Sequence, residues 1–173
     1  STFVENYANT AIHDTTIQCN HKSNGIFVYG QGSVINNVVV LQPKSYGFKI
    51  GVANKSSDCN INNCRVNGIC DYGFVVDGMD NYFTECRTLF CKKASFQNNG
   101  GGNYFTLCHA LGVESNTDGF DNCSGFELNT DAILRDCYSD NCRYGVYAPI
   151  TPNHITIDGL FCVWYEYKKS IER

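Results

Sequence analysis

Apolar and polar residues alternate along this chain in short runs, and two of those runs recur. The first has the form apolar-x-x-Cys-x-apolar. It reads INNVVV at 35–40, INNCRV at 61–66, FTECRT at 83–88, FTLCHA at 105–110, LRDCYS at 134–139 and IDGLFC at 157–162. Its fourth position is Val38, Cys64, Cys86, Cys108, Cys137 and Leu160, with successive gaps of 26, 22, 22, 29 and 23 residues. Between these lies a second run: GIFV at 25–28, GFKI at 47–50, GFVV at 73–76, SFQN at 95–98, GFEL at 125–128 and GVYA at 145–148. Runs rich in β-branched and aromatic residues, divided by Gly, Asn and Asp, read as short strands and turns, two or three strands to a unit. A period near 22 residues with no helical periodicity predicts a solenoid. Leucine-rich repeats share that period but require regular leucines, which this chain lacks. If each unit makes one coil, like positions stack about 4.8 Å apart along the axis. The expected fold is all-β: a right-handed parallel β-helix of about six coils with an inward cysteine column.

The 173 residues are expected to form one domain, with a lead-in segment at 1–11, coils over 12–163 and a cap or linker at 164–173. The start, STFVENYANT, has neither the basic opening nor the apolar stretch of a signal peptide. A bare β-helix exposes a sheet edge, so the chain is expected to be a piece of a longer protein or a subunit buried in an assembly.

Eleven cysteines in a chain of this length raise the question of disulfides. Their intervals follow the repeat rather than a CxxC or Cys/His metal spacing. Small apolar thiols pack well in an inward column, so buried free cysteines are expected, which fits assembly in a reducing cytoplasm. The net charge of −4 argues against a nucleic-acid partner. No apolar run approaches the ~20 residues that span a bilayer as a helix, so membrane insertion is not expected either.

Stacking the coils places particular side chains in columns on the outer surface. The residue after the cysteine position gives Val39, Arg65, Arg87, His109, Tyr138 and Phe161. Arg65, Arg87 and His109 on consecutive coils would form a strip suited to an acidic sugar polymer; the plainer reading is a solvated face. The residue before the GF-type glycine gives Tyr46, Tyr72 and Tyr144, with Asp118 placed between them. Those rings could stack on sugar rings, or simply stabilise a β-helix surface. A third column, Gly32, Asp58, Asp80, Gly102, Asp131 and His154, is expected to consist of turn residues whose aspartates accept from turn amides.

The stretch ESNTDGFDN at 114–122 concentrates acids in the longest coil. Hydrolysis of a glycosidic bond needs two carboxylates roughly 5–10 Å apart, one of them held protonated. Asp118 or Asp121 with Glu114, Glu127 or Asp140 could meet that need, and the bland alternative is a turn at Asp118-Gly119. The units resemble those of the pectate-lyase-like β-helix superfamily, which includes polygalacturonases, pectate lyases and bacteriophage tailspikes. Asn116-Thr117-Asp118-Gly119 matches the polygalacturonase motif in full. Asp140-Asn141 stands where that family has two aspartates, and His154 is followed by Ile155 rather than Gly, so the polygalacturonase pattern is incomplete. Residues 102–121 are similar to a pectate-lyase stretch. The resemblance implies that Asp118, Asp121 and Asp140 could offer oxygen ligands to calcium, with no other cofactor.

Together these features suggest a tailspike-like protein that binds bacterial surface polysaccharide and cleaves it as an endo-glycosidase. The catalytic candidates are Asp118, Asp121, Asp140 and Glu114, and the substrate-binding candidates are Arg65, Arg87, His109, Tyr46, Tyr72 and Tyr144. The resemblance implies a homotrimer in a virion tail. The alternatives are a secreted, calcium-dependent polyuronate lyase or hydrolase, and a non-catalytic receptor-binding or structural β-helix.

Overall fold

In the computed structural model the chain is a parallel β-solenoid of about six turns, with no helix among the described residues. The structure describes residues 2–6, 9–55, 57–112, 123–149, 152 and 154–163. Every strand pairing is parallel, and each coil visits three ladders in turn. The first ladder holds the opening halves of β2 (Ala11–Gln18) and β4 (Val34–Leu41), then β6 (Asn60–Asn62), β8 (Tyr82–Thr84), β10 (Asn103–Thr106), β13 (Ala132–Arg135) and β16 (Ile155–Asp158). The second ladder takes the closing halves of β2 and β4, the opening parts of β7 (Arg65–Val76) and β9 (Arg87–Asn98), then β11 (His109–Gly112), β14 (Tyr138–Asp140) and β17 (Phe161–Val163). The third ladder holds β1 (Thr2–Asn6), β3 (Asn24–Val28), β5 (Tyr46–Ile50), the closing parts of β7 and β9, β12 (Ser124–Leu128) and β15 (Tyr144–Tyr147).

Three strands per coil follow from where the backbone turns. Between the first and second ladders one residue per coil adopts a left-handed conformation: Asp14, Asn37, Asn63, Glu85, Leu107, Asp136 and Gly159, with φ between 47° and 73°. Asn, Asp and Gly tolerate this region, which explains the polar residue that precedes the cysteine column. The interstrand hydrogen bonds continue through the corner, as in Glu85 N donating to Thr106 O and Arg87 N donating to Cys64 O. The Asn37 amide donates to Asp14 Oδ1 at 2.8 Å, and the Asn63 amide to Asn37 Oδ1 at 3.3 Å, joining three coils by side chains. The expected turn column at the third-to-first corner also holds. Gly32, Asp58, Asp80 and Gly102 have positive φ, and Asp131 Oδ1 accepts from His154 N at 2.9 Å.

Inside, like residues stack on like. Phe48, Phe74, Phe96 and Phe126 form a column of near-parallel rings with centroids 4.8–5.0 Å apart. Phe83 and Phe105 form a second column, edge-on to the first. Burial of each such ring contributes about 1.5–3 kcal/mol. The glycine before the phenylalanine column is required by close approach: a Cβ on Gly73 would lie 2.3 Å from Thr88 Cγ2 and 2.6 Å from Ser95 O. The equivalent position one coil on is Ser95, and there the residue stacked on Thr88 is Ala110. A larger residue is thus accommodated where its neighbour is smaller.

The cysteine column stands as expected. Cys64, Cys86, Cys108 and Cys137 are buried, and all eleven cysteines are free. A second group sits at the second-to-third corner, where the Cys70 and Cys91 sulfurs and the Cys123 and Cys142 sulfurs lie 3.9 Å apart. Mutual hydrogen bonding and burial push the Cys70 and Cys123 thiols up, so both stay protonated. At the third corner three of the inward positions are polar, Ser33, Asn81 and Asn103, all buried.

Candidate functional site

The second ladder brings together several of the candidate side chains. Because residues alternate across a strand, the residue after each inward cysteine must face outward. The expected column forms in full register: Val39 pairs with Arg65, Arg65 with Arg87, Arg87 with His109, His109 with Tyr138 and Tyr138 with Phe161. Arg65 and Arg87 are exposed, His109 and Tyr138 are half-buried, and Phe161 is 63% exposed. The Tyr138 and Phe161 rings stack at 5.5 Å, and the His109 ring meets Tyr138 edge-on at 4.5 Å. Two residues along each strand a neighbouring column runs from Leu89 through Leu111 and Asp140 to Val163. This brings Asp140 onto the same face as His109 and Arg87.

Two polar atoms at this face are buried and lack a hydrogen-bond partner: His109 Nε2 and Asp140 Oδ1. Burial lowers the His109 pKa, and the positive charge of Arg87 lowers it further, while the Asp140 carboxylate pulls the other way. The net effect keeps the imidazole neutral at neutral pH. The face therefore presents guanidinium groups, a neutral imidazole, an aromatic pair and one carboxylate. Such a set can pair with anionic groups along an extended ligand while offering a ring surface.

The other sequence-selected residues are distributed differently. Tyr46, Tyr72 and Tyr144 share a column on the third ladder, so they do not join the arginines. Between Tyr72 and Tyr144, where Asp118 was expected, the paired positions of that column are Ala94 and Ser124. The correction has a local cause. Ser124 enters β12 directly before Gly125, so the strand register is fixed downstream of the acidic stretch. Glu114, Asp118 and Asp121 lie outside the described residues. Among the described residues no three His, Cys, Asp or Glu side chains converge as a metal site.

Sequence reasoning missed two features of these faces. Tyr138 and Phe161 form a stacked pair, for which their shared column was a legible signal. Lys93, Glu127 and Tyr147 gather near Tyr72 and Tyr144: Glu127 pairs with Tyr147 in register, and Lys93 joins them without a signal in spacing.

No protein-family model, no curated protein and no solved structure matches this chain. The parallel solenoid agrees with the β-helix fold that the repeat resembles, and the agreement is one of fold.

Proposed function

We propose that the second face binds an acidic polysaccharide, with the chain running along the solenoid axis. The supporting observation is the in-register column of Arg65, Arg87 and His109 continued by the Tyr138–Phe161 stack, with Asp140 alongside. Rungs about 4.8 Å apart offer a guanidinium at successive steps, a spacing comparable to one sugar residue. Guanidinium–carboxylate pairing supplies the attraction, and the aromatic pair supplies apolar contact for sugar C–H faces. The net charge of −4 makes this strip a local feature, so binding rests on these contacts rather than on the overall field.

Binding is the primary reading, because Asp140 is the one carboxylate that the described residues place on this face, and glycoside hydrolysis calls for a pair. Endo-cleavage remains part of the proposal through Asp140, with the second acid sought among Glu114, Asp118 and Asp121. The setting carried over from the resemblance, a trimeric viral tail protein acting on bacterial polysaccharide with calcium as an optional ligand, is likewise proposed, with the solenoid fold as its support.

Calorimetric titration with polygalacturonate and with its fully methyl-esterified form tests the reading. The acidic polymer is expected to bind and the ester not to, and Arg65→Ala/Arg87→Ala is expected to weaken binding at least tenfold, equivalent to about 1.4 kcal/mol. Equal binding of both polymers, or unchanged affinity in the double variant, overturns it. For cleavage, reducing-end release by the wild type that disappears in Asp140→Asn is expected; activity retained in that variant removes Asp140 from the chemistry.

A further inference from the structure

On the third ladder the tyrosine column is interrupted, and the interruption opens a groove. Tyr46 pairs with Tyr72, but the next two positions are Ala94 and Ser124 before Tyr144 restores the ring. Two small residues in a ladder of large ones leave a depression of about 310 Å³, lined by Tyr72, Lys93, Ser124, Glu127, Tyr144 and Tyr147. That volume lies at the small end of the range for ligand sites, ~300–1,000 Å³.

The walls are held in place by contacts within the protein. Lys93 Nζ lies 5.4 Å from the Tyr72 ring centre and 3.8 Å from Asp71 Oδ2. Tyr144 and Tyr147 stack at 5.2 Å, and the Arg143 guanidinium sits 5.3 Å over Tyr144. Glu127 Oε1 accepts from the Gln97 amide at 2.9 Å and from the Asn129 amide at 3.1 Å. Its second oxygen has no hydrogen bond among the described residues, nor do the hydroxyls of Tyr72, Tyr144 and Tyr147. A small groove is thus bordered by an open carboxylate oxygen, three phenol hydroxyls and an ammonium.

We propose that this groove binds a short neutral saccharide. Hydroxyl groups can donate to Glu127 Oε2, accept from Lys93 Nζ and do either with the phenols, while pyranose C–H faces meet the tyrosine rings. Both kinds of charged ligand are disfavoured. An anion meets the open oxygen of Glu127, and a cation meets Lys93 and Arg143. The site lies on a different ladder from the arginine column, prefers a neutral rather than an anionic ligand, and does not depend on the function proposed for that column.

The test is chemical-shift mapping on the isotopically labelled protein with neutral trisaccharides: β-1,4-glucotriose, α-1,4-glucotriose, β-1,4-mannotriose and β-1,4-linked N-acetylglucosamine trimer. At least one is expected to shift Lys93, Ser124, Glu127, Tyr144 and Tyr147 saturably at about 10 mM, a level that nearly fills a site with a Kd of ~1 mM. Tyr147→Ala and Glu127→Gln are each expected to weaken that binding at least fivefold with unchanged melting temperatures, and polygalacturonate is expected not to displace the trisaccharide. The proposal is overturned if no trisaccharide shifts these residues, if both variants bind like the wild type, or if trigalacturonate occupies the groove as well as the neutral sugars.

Discussion

Replacing Asn103 with alanine removes a side chain that makes five hydrogen bonds in the solenoid interior. Asn103 is fully buried at the third corner. Its Oδ1 accepts from the backbone N of Asn81 at 2.8 Å and from the Asn81 side-chain amide at 2.9 Å. Its Nδ2 donates to Gly100 O at 2.6 Å, Asn98 Oδ1 at 2.7 Å and Gly78 O at 3.0 Å. Truncation strands at least the Asn81 N–H and Asn98 Oδ1, both in buried residues. A buried polar group left without its partner costs about 1–3 kcal/mol, so two of them predict a loss of about 2–6 kcal/mol before any cavity term. Asn36, exposed on the first ladder, provides the control, since an alanine there should stay within about 0.5 kcal/mol of wild type. Urea unfolding followed by far-UV circular dichroism measures the difference. Amide exchange at Asn81 gives a local readout that holds even if coils unfold separately. Asn103→Asp sharpens the argument. Its second oxygen would face two carbonyls and the Asn98 Oδ1, so the folded form must retain the proton and its pKa is raised. That variant should be most stable below the ordinary aspartate value of ~3.9 and lose stability as pH rises through its raised folded value. An Asn103→Ala loss below about 1 kcal/mol, or unchanged exchange at Asn81, would refute the reasoning.

Three further outcomes follow from the same structure. A thiol reagent added to the native protein should modify Cys162 alone, the one exposed cysteine of eleven, with the remaining ten reacting only on unfolding. Partial burial raises the Cys162 pKa, so its rate at pH 8 should fall below that of a free thiol, and several thiols reacting at one rate would contradict the packing. The folded pKa of His109 is depressed, so the unfolded chain binds more protons between the two values. Stability should therefore be fully present above the ordinary histidine value of ~6.5 and fall as pH drops toward the folded pKa. Histidine NMR titration together with unfolding at several pH values checks this, and His109→Gln should flatten that part of the profile. Leu107 has φ 54° at a half-exposed corner where its stacked equivalents include Asn63 and Asp136. Leu107→Asn should raise stability by about 0.5–1 kcal/mol, and a lower melting temperature would show that Leu107 packs in a way the corner geometry does not require.

Much of this architecture could be read from the chain because its information is periodic and local. An apolar fourth position in each run, cysteine in four of the six, fixes which side faces inward, and strand parity then obliges Arg65, Arg87 and His109 to face outward in one column. The turn aspartates were equally legible, since a left-handed corner selects Asn, Asp and Gly whatever lies around it. What failed was the placement of Asp118. Asp118 was expected between Tyr72 and Tyr144, whereas Ala94 and Ser124 hold those positions. The groove on the third ladder and the asparagine network at the third corner were only partly legible. Asn81 and Asn103 lie one 22-residue repeat apart, and Glu127 and Tyr147 hold the same place in the second run, but Lys93 and Asn98 join them only in the folded solenoid. The sequence by itself determined the inward and outward sides of each strand, a property of the local backbone. The tertiary structure alone decided which outward and corner residues became neighbours, because stacking register depends on the length of every coil between them.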